Sequence, residues 1–240
     1  MKNVSKGFLF LVLVVFLVFE NPVWGFTHGN LTFNPVSHAT FVIQAGEHTI
    51  YVDPVGDRRS FEKFNPPSII LITDIHRDHL NKGLVQTLKT SRTVIVGPKA
   101  AIDQLGEGIV LNNGNSETVN QVVISAIPSY NMSAERLNFH PQGRGNGYVL
   151  TMGGKNIYIS GDTEDIPEMR SLKNIDYAFV CMNLPYTMTV DQAASAVLDF
   201  KPGIVFPYHY RGKGGMSDIQ KFKRLVTKNR QIKVEFLKWY

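Results

Sequence analysis

The stretch Thr73-Asp-Ile-His-Arg-Asp-His-Leu80 sets two aspartates and two histidines within six consecutive positions, directly after the apolar run SIILI at 68–72. The whole chain carries only seven histidines, so this is a marked concentration. A short apolar run rich in isoleucine predicts a strand, and a chain that turns at a strand tip leaves its next side chains at the sheet edge, where ligands commonly sit. Imidazole nitrogen and carboxylate oxygen both suit divalent transition metals, and one loop that supplies several of them lowers the cost of assembling a site. Helix capping explains less: Asp78 as the N-cap of a helix beginning near Leu80 accounts for one aspartate and leaves the other three groups unexplained.

Outward from this loop, short apolar runs bounded by Gly, Asn and Pro predict further strands: LTFNPV, TFVIQAG, HTIYVDPV, TVIVG and VVISAIP before residue 130, then GYVLTMG, KNIYISGD, IDYAFVCMN and GIVFPYH. Helices are predicted over NKGLVQTLK, over PKAAIDQLG with Pro98 near its start and Gly106 near its end, and around 166–172, 190–200 and 217–228. Gly153-Gly154-Lys155 between two strand-like runs reads as a hairpin turn, and Thr189-x-x-Gln192 as a capping box. Strands alternating with helices in both halves predict an α/β layered domain, with sheets packed face to face and helices outside.

The pattern of a strand followed by an acid or imidazole at its tip recurs. Asp162 follows IYISG and His209 follows IVFPY. Asp53 closes IYV in the same manner and is placed to orient the loop through hydrogen bonds. The lone Cys181, in the apolar run YAFVCMNL, has no internal disulfide partner and reads as a packing residue.

The N-terminus reads as an export signal. Lys2 and Lys6 precede the apolar run FLFLVLVVFLVF, which ends at Glu20 and Pro22 and is shorter than the roughly 20 residues that cross a bilayer comfortably. Residues 1–25 are therefore expected to be a signal peptide or N-terminal anchor, and 26–240 the folded unit of a periplasmic or secreted protein. Membrane contact is expected only through that segment, if it is retained. The net charge of +5 is scattered, and the clusters at Lys221–Arg224 and Lys228–Lys233 read as solvated helix faces, so no nucleic-acid partner is expected.

Taken in order, SHATF at 37–41, Asp53, TDIHRDH, AIPSYN at 126–131, SGDT at 160–163 and PYHY at 207–210 resemble the metallo-β-lactamase superfamily over nearly the whole mature chain. The branch it looks most like contains sugar-phosphate lactonases and the N-acyl phosphatidylethanolamine phospholipase D enzymes. The resemblance implies a four-layer αβ/βα sandwich of two packed mixed sheets flanked by helices, with a metal site at one edge, usually zinc.

Carried over residue by residue, the family loop His-x-His-x-Asp-His puts Asp74 at the first histidine, whereas His76, Asp78 and His79 match. Asn131 stands about where the family supplies another histidine. One metal position, at Asp78, His79, Asp162 and His209, is thus intact. The other keeps His76 with Asp74 and Asn131 as oxygen ligands, which admits manganese or iron there. His140, in FHPQG, either restores a nitrogen ligand or faces the substrate.

These residues predict an exported metal-dependent hydrolase of an ester, lactone or phosphodiester, in which metal-activated water attacks carbonyl carbon or phosphorus. Asp78 or Asp74 would steer the water proton, and His140 or Tyr130 would stabilise developing charge. His38 is expected to orient a ligand, and residues 183–194 to line the pocket. Arg136 and Arg144, in the loop 131–147, are candidates to recognise an anionic group on a small-molecule or lipid-like substrate. A non-catalytic metal-dependent binding protein on the same scaffold is the competing reading.

Overall fold

Strand β3 (Thr40–Ala45) shows how the layers are specified: Phe41 and Ile43 point into one apolar cluster and Val42 into another, and all three are fully buried. A strand buried on both faces must be apolar at successive positions rather than at alternate ones. Strand β5 (Ile69–Leu71) follows the same rule, with Ile69 and Leu71 facing inward between the sheets and Ile70 facing the helices outside.

The structure is a computed structural model that describes residues 25–240. The expected signal peptide or anchor falls, but for Gly25, outside the described residues. Among the described residues no helix is long and apolar enough to cross a membrane.

Two mixed sheets of seven strands pack together. In chain order the first comprises β1 (Phe26–His28), β2 (Leu31–Ser37), β3, β4 (His48–Val52), β5, β6 (Val94–Gly97) and β7 (Ile109–Val110). The second comprises β8 (Ser116–Val119), β9 (Val122–Ser129), β10 (Gly145–Met152), β11 (Lys155–Ile159), β12 (Tyr177–Val180) and β13 (Ile204–Pro207), with β16 (Lys233–Val234) at its far edge. A two-stranded ribbon, β14 (Arg211–Gly212) and β15 (Gly215–Met216), stands apart. Each large sheet begins as an antiparallel meander of four strands and then continues parallel. The αβ/βα sandwich expected from the sequence is therefore the fold, and the two halves share one strand plan without sharing letters.

Aromatic rings fill the space between the sheets. Phe41 stacks on Phe179 at 4.4 Å between centroids, and Phe179 stacks on Phe206 at 4.9 Å. Each such ring, fully buried, contributes roughly 1.5–3 kcal/mol relative to exposure. Helices α1 (Lys82–Leu88) and α2 (Lys99–Leu105) cover the outer face of the first sheet through Leu84, Val85, Ala101, Ile102 and Leu105. The short α3 (Pro167–Arg170), α4 (Val190–Phe200) and α5 (Ile219–Val226) contribute Met169, Ala193, Val197 and Phe222 to the main cluster.

Local signals are realised where they were strongest. Pro98 stands at the N-cap position of α2 and Gly106 ends it in the left-handed region, Thr189 and Gln192 form the reciprocal capping box of α4, and Gly153 and Gly154 both take positive φ in the hairpin turn. Asp78 is not an N-cap: Asn81 caps α1, its side chain accepting from the Leu84 N–H at 3.0 Å. The edge strand β8 (SETV) has three exposed residues and no apolar alternation, and it is a strand only because β9 offers it a partner. Cys181 is buried, and burial pushes its thiol up to about 12, which fits a packing role.

The parallel strands carry the chemistry. Asp53 follows β4, the Thr73–His79 loop follows β5, Asp162 follows β11 and His209 follows β13, so all four lie just beyond carboxyl ends of strands.

Candidate metal centre

Asp53 organises the loop. Its backbone N–H is bound to Leu71 O at 2.9 Å, which locks the end of β4 to the end of β5. The fully buried carboxylate then accepts from Thr73 N–H at Oδ1 (2.7 Å), and from Thr73 Oγ1 (2.6 Å) and His79 Nδ1 (2.7 Å) at Oδ2. His79 and Leu80 close a turn by donating their N–H groups to His76 O at 2.9 and 2.8 Å. With its Nδ1 proton committed to Asp53, His79 presents a bare Nε2 to the site.

Around that nitrogen, three more groups converge. His209 Nε2 lies 3.2 Å from His79 Nε2 and 3.2 Å from Asp162 Oδ1, and His79 Nε2 lies 3.4 Å from Asp162 Oδ2. Asp78 Oδ2 stands 3.5 Å from His209 Nε2 and 4.0 Å from His79 Nε2. Ligands about 2.0–2.1 Å from a tetrahedral zinc are about 3.3–3.4 Å from one another, so the spacing fits one ion in the middle. Two imidazole nitrogens this close among carboxylate oxygens need a cation or a proton between them.

The electrostatics point the same way. Burial opposes charge on His79 and His209, but Asp162, with Asp53 or Asp78, outweighs it and raises both histidines above their ordinary value. Burial likewise opposes ionised Asp162 and Asp78, yet the facing imidazoles hold both well below the carboxylate range. The carboxylates that favour positive charge on these imidazoles favour a cation at the same point. Asp162 Oδ1 is buried and lacks an aligned hydrogen-bond partner, as a metal-ligating atom does before the ion is in place.

A second group adjoins the first. Asp74, His76 and His140 bring ligand atoms together, with His76 Nδ1 2.7 Å from Asp74 Oδ2 and His140 Nε2 4.0 Å from the same oxygen. His140 Nε2 also lies 3.2 Å from Asp162 Oδ2, so Asp162 faces both groups. His140 Nδ1 donates to Tyr186 O at 3.1 Å, which leaves Nε2 as the inward atom.

Asn131, expected as an oxygen ligand, is not in this group. Its Nδ2 donates to Tyr186 O (2.7 Å) and Arg136 O (2.9 Å), and its backbone N–H donates to His140 O (2.8 Å). The residue clamps the loop that delivers His140, and His140 supplies the imidazole that the sequence position of Asn131 suggested.

Other expectations are redistributed. Tyr130 does not face the cluster, since its hydroxyl donates to Glu168 at 3.2 Å. Neither Arg136 nor Arg144 is free for an anion: Arg136 pairs with Glu164, and Arg144 with Asp74 through two 3.0 Å contacts. Glu164, buried and not singled out in the sequence, also accepts the N–H groups of Met132 and Ser133 at 2.7 Å each, fixing the same loop. We expect Tyr130→Phe to leave turnover within about twofold of the native chain and to cost no more than about 1 kcal/mol in a denaturant melt, the value of one hydrogen bond. A larger loss of turnover would return Tyr130 to the chemistry.

His38 lies against the centre, its Nε2 3.3 Å from Asp78 Oδ2 and its ring 3.9 Å from that of His209. Tyr240 holds it from behind through a 2.8 Å hydrogen bond to Nδ1. His38, Asp53 and His209 all have positive φ, at 56°, 45° and 45°. Non-glycine residues held there cost of order 1–3 kcal/mol each, and such strain clusters at functional sites. No residue-type signal in the sequence marks it.

A cavity of about 460 Å³ opens over the cluster, lined by His76, Arg77, Asp78, Phe139, His140, Asp162, Asn183 and Tyr186. Phe139 and Tyr186 meet edge to face at 5.1 Å and make an apolar wall, while Arg77 is exposed at the mouth. From the segment expected to line the pocket, Asn183 sits deepest, with Nδ2 3.3 Å from His209 Nε2.

Comparison with known proteins matches residues 32–209 to the beta-lactamase superfamily domain. A UPF0173 metal-dependent hydrolase of Nanoarchaeum equitans is 30% identical over 183 residues, covering 73% of this chain and 81% of that protein. Its counterpart from Pyrococcus abyssi is 29% identical over 215 residues, covering 83% of this chain and 93% of the relative. Among solved structures, a candidate metal-dependent hydrolase from Parabacteroides distasonis is 42% identical with a TM-score of 0.80, covering 87% of this chain and 94% of that one. A metallo hydrolase from Ignicoccus hospitalis shares the fold at 21% identity, with a TM-score of 0.74 and coverage of 87% and 95%.

Proposed function

This chain belongs to the beta-lactamase superfamily, and on that premise we propose that it works outside the cytoplasm as a metal-dependent hydrolase of a small ester, lactone or phosphodiester. One observation carries the reading: His79, Asp162 and His209 bring ligand atoms within 3.2–3.4 Å of one another, and Asp78, 3.5 Å from His209, stands beside them where Asp78 and Asp162 line an open pocket. These four residues would hold the ion. A divalent cation there supplies Lewis acidity and a water that is nucleophilic near neutral pH. Zinc suits the two imidazoles and two carboxylates.

The remaining work falls to the chain's own groups. Asp53 fixes the tautomer and orientation of His79, and Tyr240 with Asp78 fixes His38. Asp78, whose side chain is 42% exposed at the pocket, is placed to accept a proton from attacking water. His76, 40% exposed on the same floor, faces the space a substrate would fill. Phe139 and Tyr186 shield one side from solvent and favour an apolar or planar substituent, and Arg77 at the mouth suits an anionic one. The apolar run at residues 8–19, preceded by Lys2 and Lys6, supports export.

The test is removal and return of metal. The chain stripped with a chelator and assayed on ester, lactone and phosphodiester panels is expected to be inactive, and to regain turnover on one of them with a defined ion. Tight binding of the ion without turnover on any panel would sink the hydrolase in favour of a metal-dependent binding protein.

A further inference from the structure

We propose that Arg144 takes the electrostatic place of a second cation, so that the centre binds a single divalent ion at Asp78, His79, Asp162 and His209, with Asp74 a positioning residue instead of a ligand. The inference rests on the metal-centre reading above and concerns its stoichiometry.

Asp74 is engaged at both of its oxygens. Arg144 Nε donates to its Oδ1 and Nη2 to its Oδ2, both at 3.0 Å, and His76 Nδ1 lies 2.7 Å from Oδ2. This forked pairing is the geometry for which guanidinium and carboxylate are matched. Arg144 Nη2 also donates to Phe139 O and stands 3.4 Å from His76 Nε2. The guanidinium is thus held by Asp74 and a backbone carbonyl at the edge of the would-be second position.

The backbone keeps it there. Arg144 directly precedes β10, whose Asn146 N–H donates to Thr73 O at 2.9 Å, tying that strand to the loop of Asp74. A Cβ at Gly145 would come within 3.2 Å of Thr73 O and 3.5 Å of Asp74 Oδ1, so the absence of a side chain permits this close approach. The arginine is built into the fold beside its carboxylate.

Charge counting separates the two positions. Asp78 and Asp162 give the first position two carboxylates, which match a divalent ion. At the second, Asp74 is compensated by a guanidinium that stays charged at any working pH, and the imidazoles of His76 and His140 add no negative charge. Only the shared Asp162 is left to offset another dication, which would sit beside a fixed positive charge.

The full-length native chain, saturated with Mn²⁺ and freed of excess ion, is expected to retain one Mn²⁺ per chain by elemental analysis, with an uncoupled mononuclear spectrum in electron paramagnetic resonance. Arg144→Gln is expected to raise the ratio to two and to introduce magnetic coupling, whereas Arg144→Lys, which keeps a positive charge, is expected to stay at one. A native ratio of two overturns the proposal while leaving the metal centre standing, as does a folded Arg144→Gln chain that stays at one. A native ratio of zero overturns the metal-centre reading and this proposal with it. Should Arg144→Gln fail to fold, Arg144→Met, which removes the charge at similar length, takes its place with the same expected ratio of two, and a ratio of one in that variant or of two in Arg144→Lys overturns the proposal.

Discussion

His209→Ala is expected to lose bound metal and hydrolytic turnover together, with metal affinity falling by more than about 10²-fold, the upper end of what loss of an outer partner costs. The reason is geometric. His209 Nε2 is within 3.5 Å of His79, Asp162 and Asp78, so it is the one group that touches all the others around the common point. Without it, His79 and Asp162 retain their own contact but lose the closing side of the ligand set. Alanine keeps a Cβ and therefore the same left-handed backbone at φ 45°, so circular dichroism of the variant is read beside its metal content to separate loss of the ion from loss of the fold. Metal content by elemental analysis and turnover on the responsive panel should fall in step. A variant that keeps both would remove His209 from the centre and with it the intact metal position.

Asp53→Asn is expected to weaken metal binding by about 10–100-fold, with the secondary structure unchanged by circular dichroism. The native carboxylate accepts three hydrogen bonds, from Thr73 N–H, Thr73 Oγ1 and His79 Nδ1. An amide of the same shape offers one accepting oxygen, and its NH₂ must then face a donor. Either the loop end at Thr73 is released, or His79 turns to its other tautomer and points a proton where the ion would sit. Affinity measured by competition with a chelator separates these effects from global unfolding. Affinity within about twofold of the native chain would mean that Asp53 does not set the tautomer.

The legible part of the site was the part written at strand tips. Asp53, Asp74, Asp162 and His209 each stand one to three residues beyond a short apolar strand, whose end fixes where they go, and His76 to His79 follow in the same loop, closed by a turn at His76. His140 was harder to place. Its location depends on how the loop 131–140 folds back, and that is decided by Asn131 bonding to a carbonyl of Tyr186 and by Glu164 gathering Met132, Ser133 and Arg136. None of those pairings follows a local period. The same holds for the arginines: composition shows two cations near the pocket, but only folding shows that Glu164 and Asp74 have already claimed them. Tyr130 was misjudged by its neighbours in sequence, because its backbone borders the site while its hydroxyl reaches Glu168.

The candidate ligands come from both sheets, Asp78 and His79 from a loop of the first and Asp162 and His209 from ends in the second. An ion seated among them is a rivet driven through the seam of the sandwich. For one sheet to slide or hinge against the other, that rivet must give way along with the aromatic packing between them, so occupancy of the centre is expected to add to the mechanical integrity of the two halves.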